Sequence, residues 1–150
     1  MEEIPSSEVR RILKKIKEEY DVEDEILRTL EKDFRWFRNR EGKIFLVKKE
    51  IFPLANQIKY HRFGLYFARI ERGDKIRLSI EGSQIIGPYA KKNVIEIGYE
   101  ELKKWLAGAD LEKDGSGFVI IKSNNYFAGS GLAKNGKIKN YIPKERRITL

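Results

Sequence analysis

Residues 71–97 read ERGDKIRLSIEGSQIIGPYAKKNVIEI, and this stretch decides the predicted fold. Apolar and polar residues alternate over 75–80, which predicts a half-buried strand. A short helical turn is predicted at 83–86, because a proline follows soon after and ends it. Another strand is expected over 94–97, so a strand, a helical turn and a strand follow one another closely.

The elements downstream are also short: a helix over 99–106, and strands over 118–122, 126–133 and 148–150. Turn residues separate them, and no internal repeat is present. Many short strands with two small helices in fewer than eighty residues are typical of a compact mixed β-barrel.

Upstream of residue 71 the pattern changes to two amphipathic helices and longer strands. The helices are predicted over 7–20, behind a serine cap, and over 23–31. A hairpin turns at 39–42, a helix interrupted by a proline is expected over 49–57, and a strand over 64–70. A domain boundary is therefore expected near the polar turn that follows that strand.

The composition favours a polyanionic partner. The chain has 31 Lys plus Arg against 23 Asp plus Glu, a formal charge of +8 and a pI near 9.6. An acidic protein partner would explain the same charge. Cysteine is absent and there is one histidine, which excludes disulfides, zinc ribbons, Fe–S clusters and thiol nucleophiles.

No stretch is as long and apolar as a membrane span requires, and residues 1–20 form a charged amphipathic segment unlike a signal peptide. These features predict a soluble, cytoplasmic protein that does not contact a membrane. Abundant Lys, Glu and Ile with a single Met is the bias of hyperthermophile proteins, which points to an archaeal source.

Two motifs resemble a nucleotide-binding loop and a cation site, but neither lies in the sequence context that such a site requires. Gly129-Ser130-Gly131 lies inside a strand pattern, whereas a dinucleotide fingerprint opens a helix after a strand, so a bulge is the preferred interpretation. Asp110, Glu112 and Asp114 do not follow the spacing of an EF-hand and are interpreted as a solvated loop. We therefore expect no catalytic residue, no metal and no cofactor.

The basic segment, residues 134–147, has six Lys or Arg against one Glu, a net charge of +5. It interleaves cations with Asn135, Asn140 and Tyr141, a mixture that suits phosphates and unstacked bases. Charge alone predicts phosphate contacts at four positions: Arg77, Lys139, Lys144 and Arg147. The pair Lys91-Lys92 lies in a predicted loop.

Residues 65–97 and 118–147, with the tryptophan-containing helix between them, resemble the PUA domain of archaeal Nol/Nop/Sun RNA cytosine-5 methyltransferases. The preceding stretch DFRWFRNREGKIFLVKKEIF (33–52) is similar to the pre-PUA domain of those enzymes and of small two-domain ribosome-biogenesis factors. The resemblance implies an α+β protein, with a pre-PUA α/β domain over 1–73 and a PUA mixed β-barrel over 74–150. Because this chain has no cysteine, the catalytic role of those enzymes does not transfer.

The resemblance also implies RNA-binding residues. In PUA domains RNA lies against the first helix, the loop after it and the next strand, with help from the last strands. On this sequence those positions are Ser83, Gln84, Gly87, Lys91, Lys92, Gly129, Gly131 and Lys134.

The resulting hypothesis is a non-catalytic adapter in rRNA or tRNA modification or ribosome biogenesis. Its PUA domain would bind rRNA or tRNA, and its first domain would dock a modification enzyme or a pre-ribosomal particle. The alternative is a module whose basic surface docks an acidic protein without contacting RNA. A cofactor-dependent enzyme would need a pocket of convergent polar groups that the sequence does not indicate.

Overall fold

The computed structural model describes residues 1–51 and 64–150, which form an α+β fold with two sheets. The first sheet has five antiparallel strands in chain order: β1 (Glu2–Glu3), β2 (Phe34–Arg38), β3 (Lys43–Lys48), β4 (Leu65–Glu71) and β5 (Lys75–Leu78). Helices α1 (Ser6–Tyr20) and α2 (Asp24–Asp33) bury their apolar residues against it.

The second sheet has the order β6-β7-β8-β9, and helices accompany it. Its elements are α3 (Ile80–Ile86), β6 (Val94–Glu96), α4 (Tyr99–Leu106), β7 (Gly117–Ser123), β8 (Tyr126–Lys134) and β9 (Lys137–Asn140). Strand β6 is parallel to β7 and the other pairs are antiparallel, so the sheet is mixed, as predicted. Of the helices in the described ranges, none has the length and apolar character that crossing a membrane requires.

The two halves share a core. Ile86, Ile120 and Phe127 of the second half pack in one cluster with the buried residues of α1, α2 and the first sheet. Strand β5 pairs with β4, and the Ser130 hydroxyl donates to the Leu78 carbonyl at 2.6 Å. A separate cluster surrounds Trp105. A domain division between residues 73 and 74 stays a prediction, and both hydrogen bonds and packing cross that point.

Several predicted elements are confirmed: α4 has the predicted bounds, α1 and β8 differ by one residue at one end, and β7 is one residue longer at each end. The helix predicted at 83–86 begins earlier, at Ile80. The cause is Ser79, whose hydroxyl accepts a hydrogen bond from the Gly82 amide at 2.9 Å and caps the helix. The expected strand alternation therefore ends at Leu78, and Ile80 is helical.

Three other predictions at element ends were wrong or lie outside the description. No serine caps α1, because Pro5 occupies that position and its carbonyl accepts the first helical amides. The predicted strand over 148–150 is absent, and the edge strand is β9 instead. Of the helix predicted over 49–57, residues Lys49–Ile51 form a 3-10 turn and the rest is outside the described residues.

Strand β9 follows a tight hairpin. Asn135 and Gly136 both have positive φ, at 54° and 77°. Two such residues in a row form the turn whose twist suits an antiparallel pair, and Asn-Gly is its favoured sequence. The basic segment predicted as a binding tail is therefore partly an ordered strand.

Candidate nucleic-acid interface

The loop after α3, residues 87–93 and hereafter the lysine loop, is fixed against the end of α1. The amides of Lys91 and Lys92 both donate to the Tyr20 carbonyl, at 2.8 and 3.3 Å. The Asn93 side chain donates to another carbonyl of α1 at 2.5 Å, and its φ of 59° lies in the left-handed region that asparagine tolerates. The backbone is therefore held, while both lysine side chains are exposed.

The two lysines differ in their partners. The Lys91 ammonium lies 3.2 Å from a carboxylate oxygen of Glu23. Lys92 has no carboxylate within 4.0 Å in the described part of the chain. Lys92 is thus the cation of this loop whose charge no described carboxylate offsets.

A groove of about 520 Å³ adjoins the lysine loop. It is lined by Gly87, Pro88, Ala90, Val94, Glu96, Lys122, Asn125 and Phe127. The Lys122 ammonium lies 5.6 Å from the centroid of the Phe127 ring, and Asn125 is exposed in the β7–β8 turn. Sequence reasoning missed this lysine and amide, although Asn125 is in a turn that it had located.

The basic segment is largely unneutralised. Five of its cations are exposed and have no carboxylate within 4.0 Å among the residues that the structure describes: Lys134, Lys137, Lys139, Lys144 and Arg147. Arg146 is the exception, since its guanidinium forms two hydrogen bonds to Glu81, at 2.8 and 2.6 Å. All four predicted contacts in this segment therefore retain free charge.

A second concave surface, hereafter the cleft, lies between the first sheet and the end of the chain. Its volume is about 180 Å³. Its charged and aromatic lining residues are Lys43, Tyr66, Arg69, Arg77, Tyr141 and Arg146, and the backbone of Gly129 also lines it. Arg77 and Gly129 were predicted site residues, whereas Lys43, Tyr66, Arg69 and Arg146 were not singled out.

Strand register brings three of these cations together. Lys43 is the cross-strand partner of Arg69, which is the partner of Arg77, so β3, β4 and β5 carry a ladder of like charges. Like charges directly opposite in a sheet destabilise it. Glu71 offsets part of this cost: it accepts a hydrogen bond from Arg77 Nε at 2.8 Å and lies 3.8 Å from Arg69 Nε.

Aromatic rings lie against these cations. The Arg77 guanidinium is 4.1 Å from the centroid of the Tyr141 ring, and the Lys139 ammonium is 5.2 Å from the same centroid. On the other side, the Lys43 ammonium is 5.3 Å from the Tyr66 ring centroid. These are cation–π distances, and they mix positive charge with flat apolar surface.

Ionisation states in the cleft follow from contacts. The hydrogen bond from Arg146 holds the pKa of the Glu81 carboxyl below its usual range, although partial burial opposes it. Burial raises the pKa of the Tyr66 hydroxyl. At neutral pH Glu81 is therefore a carboxylate and Tyr66 a neutral phenol.

Three predicted contact residues are internal. The Ser83 hydroxyl is buried, donates to the Ile80 carbonyl and accepts from the Gly129 amide at 2.8 Å. A Cβ at Gly87 would overlap the Phe127 ring, and one at Gly131 would overlap strand β9. The structure uses these positions to pack α3, β8 and β9 together.

Two further polar side chains are engaged within the fold. Gln84 is exposed and donates weakly to the Phe127 carbonyl at 3.3 Å. The Asn140 amide group donates to the Trp105 carbonyl of α4 and to the Ala109 carbonyl beyond it, and its oxygen accepts from the Ile142 amide, so this amide is not free for a base. Asp110, interpreted as part of a solvated loop, accepts from the Asn140 backbone amide at 2.8 Å.

Comparison with known proteins adds family context. Residues 92–148 match the family described as the methyltransferase RsmF PUA domain. The ribosomal RNA small subunit methyltransferase F of Aliivibrio salmonicida is 28% identical over 131 residues, which cover 83% of this chain and 27% of that protein. That of Vibrio parahaemolyticus is 25% identical over 118 residues, with coverages of 73% and 24%. The chain thus spans about a quarter of the length of these relatives.

A solved structure has the same fold over nearly the whole chain. It is a hypothetical protein from the hyperthermophilic archaeon Pyrococcus horikoshii, with a TM-score of 0.60 and 12% identity, covering 98% of this chain and 99% of that one. The chain therefore contains a PUA domain that resembles the PUA regions of Nol/Nop/Sun-type RNA methyltransferases, as the sequence implied.

Proposed function

We propose that this PUA-domain chain is a non-catalytic RNA-binding protein of rRNA or tRNA modification or ribosome biogenesis, acting in the cytoplasm. The observation that carries the proposal is a set of five exposed cations that have no carboxylate partner among the described residues: Lys134, Lys137, Lys139, Lys144 and Arg147. The lysine loop adds Lys92. The relatives are ribosomal RNA small subunit methyltransferases, which supports this context.

The proposed role is that of an adapter. The relatives match this chain over about a quarter of their own length, and the chain has no cysteine for the chemistry that the family resemblance implies. The PUA domain would hold the RNA, while α1, α2 and the first sheet dock a modification enzyme or a pre-ribosomal particle.

Phosphate contacts supply affinity in this proposal, and shape supplies selectivity. Exposed lysines that neutralise phosphates release counterions, so binding weakens as salt rises. Side chains cannot read the narrow major groove of A-form RNA, and selectivity then depends on unstacked bases, 2′-hydroxyls and the overall shape of the RNA.

The test is retention of total cellular RNA on the protein at two salt concentrations, followed by sequencing, with poly-glutamate as the acidic control polymer. We expect selective retention of rRNA or tRNA fragments that persists at the higher salt. Equal binding of RNA and poly-glutamate that disappears at the higher salt would contradict the proposal and favour an acidic protein partner.

A further inference from the structure

We propose that the cleft is a binding site for a single unstacked nucleotide of RNA, in addition to the surface formed by the lysine loop and the basic segment. The inference rests on the proposed function and extends it to a site shared by the two halves of the chain. Lys43, Tyr66 and Arg69 come from the first sheet, whereas Tyr141 and Arg146 come from the end of the chain.

The first argument is the charge ladder. Lys43, Arg69 and Arg77 are held opposite one another across three strands, an arrangement that costs stability without an anion. Five cations border the cleft when Lys139 and Arg146 are included. Three carboxylates pair with them, namely Glu41, Glu71 and Glu81, so five minus three leaves a net charge of +2. A phosphate group would supply the missing negative charge.

The second argument is that carboxylates of the protein hold some cations of the cleft closely and others only loosely. Arg77 and Arg146 are held by carboxylates at 2.8 and 2.6 Å. Arg69 Nε is buried and has no hydrogen-bond partner among the described residues, since Arg77 takes the hydrogen bond to Glu71. Lys43 lies 3.9 Å from Glu41, which is a loose contact. Although its Nε is buried, 37% of the Arg69 side chain is exposed, and its contact with Glu71 is loose at 3.8 Å. Arg69 and Lys43 are thus the cations of the cleft that carboxylates hold least, and in this proposal they are the ligands of the phosphate.

The third argument concerns the base. Tyr66 and Tyr141 place two aromatic rings in a cleft that also contains guanidinium planes, and nucleic-acid bases stack on both kinds of surface. Small-molecule pockets usually measure about 300–1,000 Å³. At about 180 Å³ the cleft is smaller than these. One base with its phosphate is the unit of RNA that matches both the chemistry and the size.

The cleft differs chemically from an acidic-protein site. Acidic peptides need cations alone, and exposed lysines elsewhere, such as Lys134, Lys137 and Lys144, offer those. In the cleft, each tyrosine lies beside a cation, at 4.1 Å for Tyr141 with Arg77 and 5.3 Å for Tyr66 with Lys43. This pairing provides a stacking surface next to a phosphate ligand, which is what a nucleotide requires.

The first experiment compares Arg69→Gln with Arg72→Gln. Arg72 is exposed in the turn just after β4 and does not line the cleft, so it carries the same charge change as a matched control. Affinity is measured for a short single-stranded RNA and for a blunt RNA duplex. We expect Arg69→Gln to weaken single-strand binding about tenfold and to lower its salt slope by about 0.7, the value for one phosphate contact. Arg72→Gln should leave both nearly unchanged.

The second experiment locates the contact directly. Single-stranded RNA that contains 4-thiouridine is crosslinked to the wild-type protein by light, and the modified peptides are identified by mass spectrometry. We expect crosslinks in the peptides that contain Tyr66 or Tyr141.

The outcomes separate the two proposals. If the wild-type protein binds neither RNA better than poly-glutamate, the proposed function fails and this inference fails with it. If RNA binds but Arg69→Gln equals Arg72→Gln and crosslinks occur only in the lysine loop or β9, the function stands and the nucleotide site in the cleft is refuted. Circular dichroism of each variant establishes that both proteins are folded.

Discussion

In the lysine loop the backbone is fixed and the cationic side chains are exposed, whereas in the cleft the side chain of Arg77 is itself held. The amides of Lys91 and Lys92 share the Tyr20 carbonyl, and their ammonium groups extend from that fixed backbone. In the cleft, Arg77 is held by a carboxylate and lies over an aromatic ring. Both surfaces are basic, but they differ in the part of the residue that is ordered.

This difference separates two kinds of RNA contact. A free lysine on a fixed loop follows a phosphate with little geometric demand, and it loses rotamer freedom when it binds. A guanidinium that is already oriented loses less, and it presents a plane as well as a charge. In the proposals made above, the lysine loop would therefore supply affinity and the cleft would select an unstacked base.

The largest expected effect on folding tests how firmly the cleft is built. Arg77→Ala removes the partner of Glu71 and the cation over Tyr141, and Arg77 has only 10% of its side chain exposed. We expect the free energy of unfolding to fall by about 2–3 kcal/mol, as for loss of a largely buried charge partner. Urea denaturation measures it. Arg72→Ala, an exposed neighbour, should stay within about 0.5 kcal/mol, and equal losses in the two variants would contradict an ordered cleft.

The next effect tests the fixed backbone of the lysine loop. Asn93→Ala removes a side-chain hydrogen bond to α1 and places alanine at a φ of 59°. We expect a loss of about 1–2 kcal/mol in the free energy of unfolding. Asn93→Gly is the comparison, because glycine tolerates the backbone conformation and loses only the hydrogen bond. The idea fails if Gly is the more destabilising of the two in urea unfolding.

A smaller effect with the opposite sign concerns Tyr20. Its carbonyl holds the lysine loop, but its buried hydroxyl has no hydrogen-bond partner among the described residues, and burial raises the pKa of that hydroxyl. A buried polar group without a partner is costly. Tyr20→Phe should therefore raise the free energy of unfolding by up to about 1 kcal/mol and leave RNA binding unchanged. A destabilised variant in thermal unfolding would show that the hydroxyl has a partner.

The smallest effect on folding accompanies a clear effect on binding. Replacing Lys91 and Lys92 together by alanine leaves the amides that bond to Tyr20, so unfolding should change by less than about 0.5 kcal/mol. If both lysines contact phosphates of a single strand, the salt slope of binding falls by about 1.4. Since Lys91 is paired with Glu23, Lys92→Ala alone should account for most of the fall.

The adjacent lysines Lys103 and Lys104 provide the control for that double variant. Lys103 is also paired with a glutamate and Lys104 is exposed, but both lie on α4, away from the lysine loop. Their replacement by alanine should leave the salt slope near the wild-type value. If the slope falls equally in both double variants, the lysine loop contributes only to the overall positive charge of the protein and is not a specific phosphate contact.

The sequence predicted elements well where local signals agree. Helix α4 has an apolar face built from Leu102, Trp105 and Leu106, and its bounds are as predicted. Strand β9 was missed although Asn135-Gly136 is a strong hairpin signal, because the surrounding lysines suggested a tail. At this position the turn sequence was the better indicator of structure than the charge of the flanking residues.

The candidate site was predicted less well, for a physical reason. The ladder Lys43, Arg69, Arg77 depends on the register of three strands, which side-chain packing over the whole sheet determines and no local pattern reveals. Ser83 was an expected RNA contact, but its hydroxyl accepts a hydrogen bond from the Gly129 amide, which lies on a strand far along the chain. The exposure of cations such as Lys92 and Lys139 was predictable, because a lysine is usually solvent-exposed whatever its tertiary neighbours are.

Because the two halves share a core, we expect the second half to depend on the first for its folding. A fragment that begins at residue 74 would lose the partner of β5, the carbonyl that holds the lysine loop, and the apolar cover of Ile86 and Phe127. Such a fragment would expose apolar surface, and we expect it to aggregate. Recombination that transfers the second half to another protein is therefore expected to carry α1, α2 and the first sheet with it.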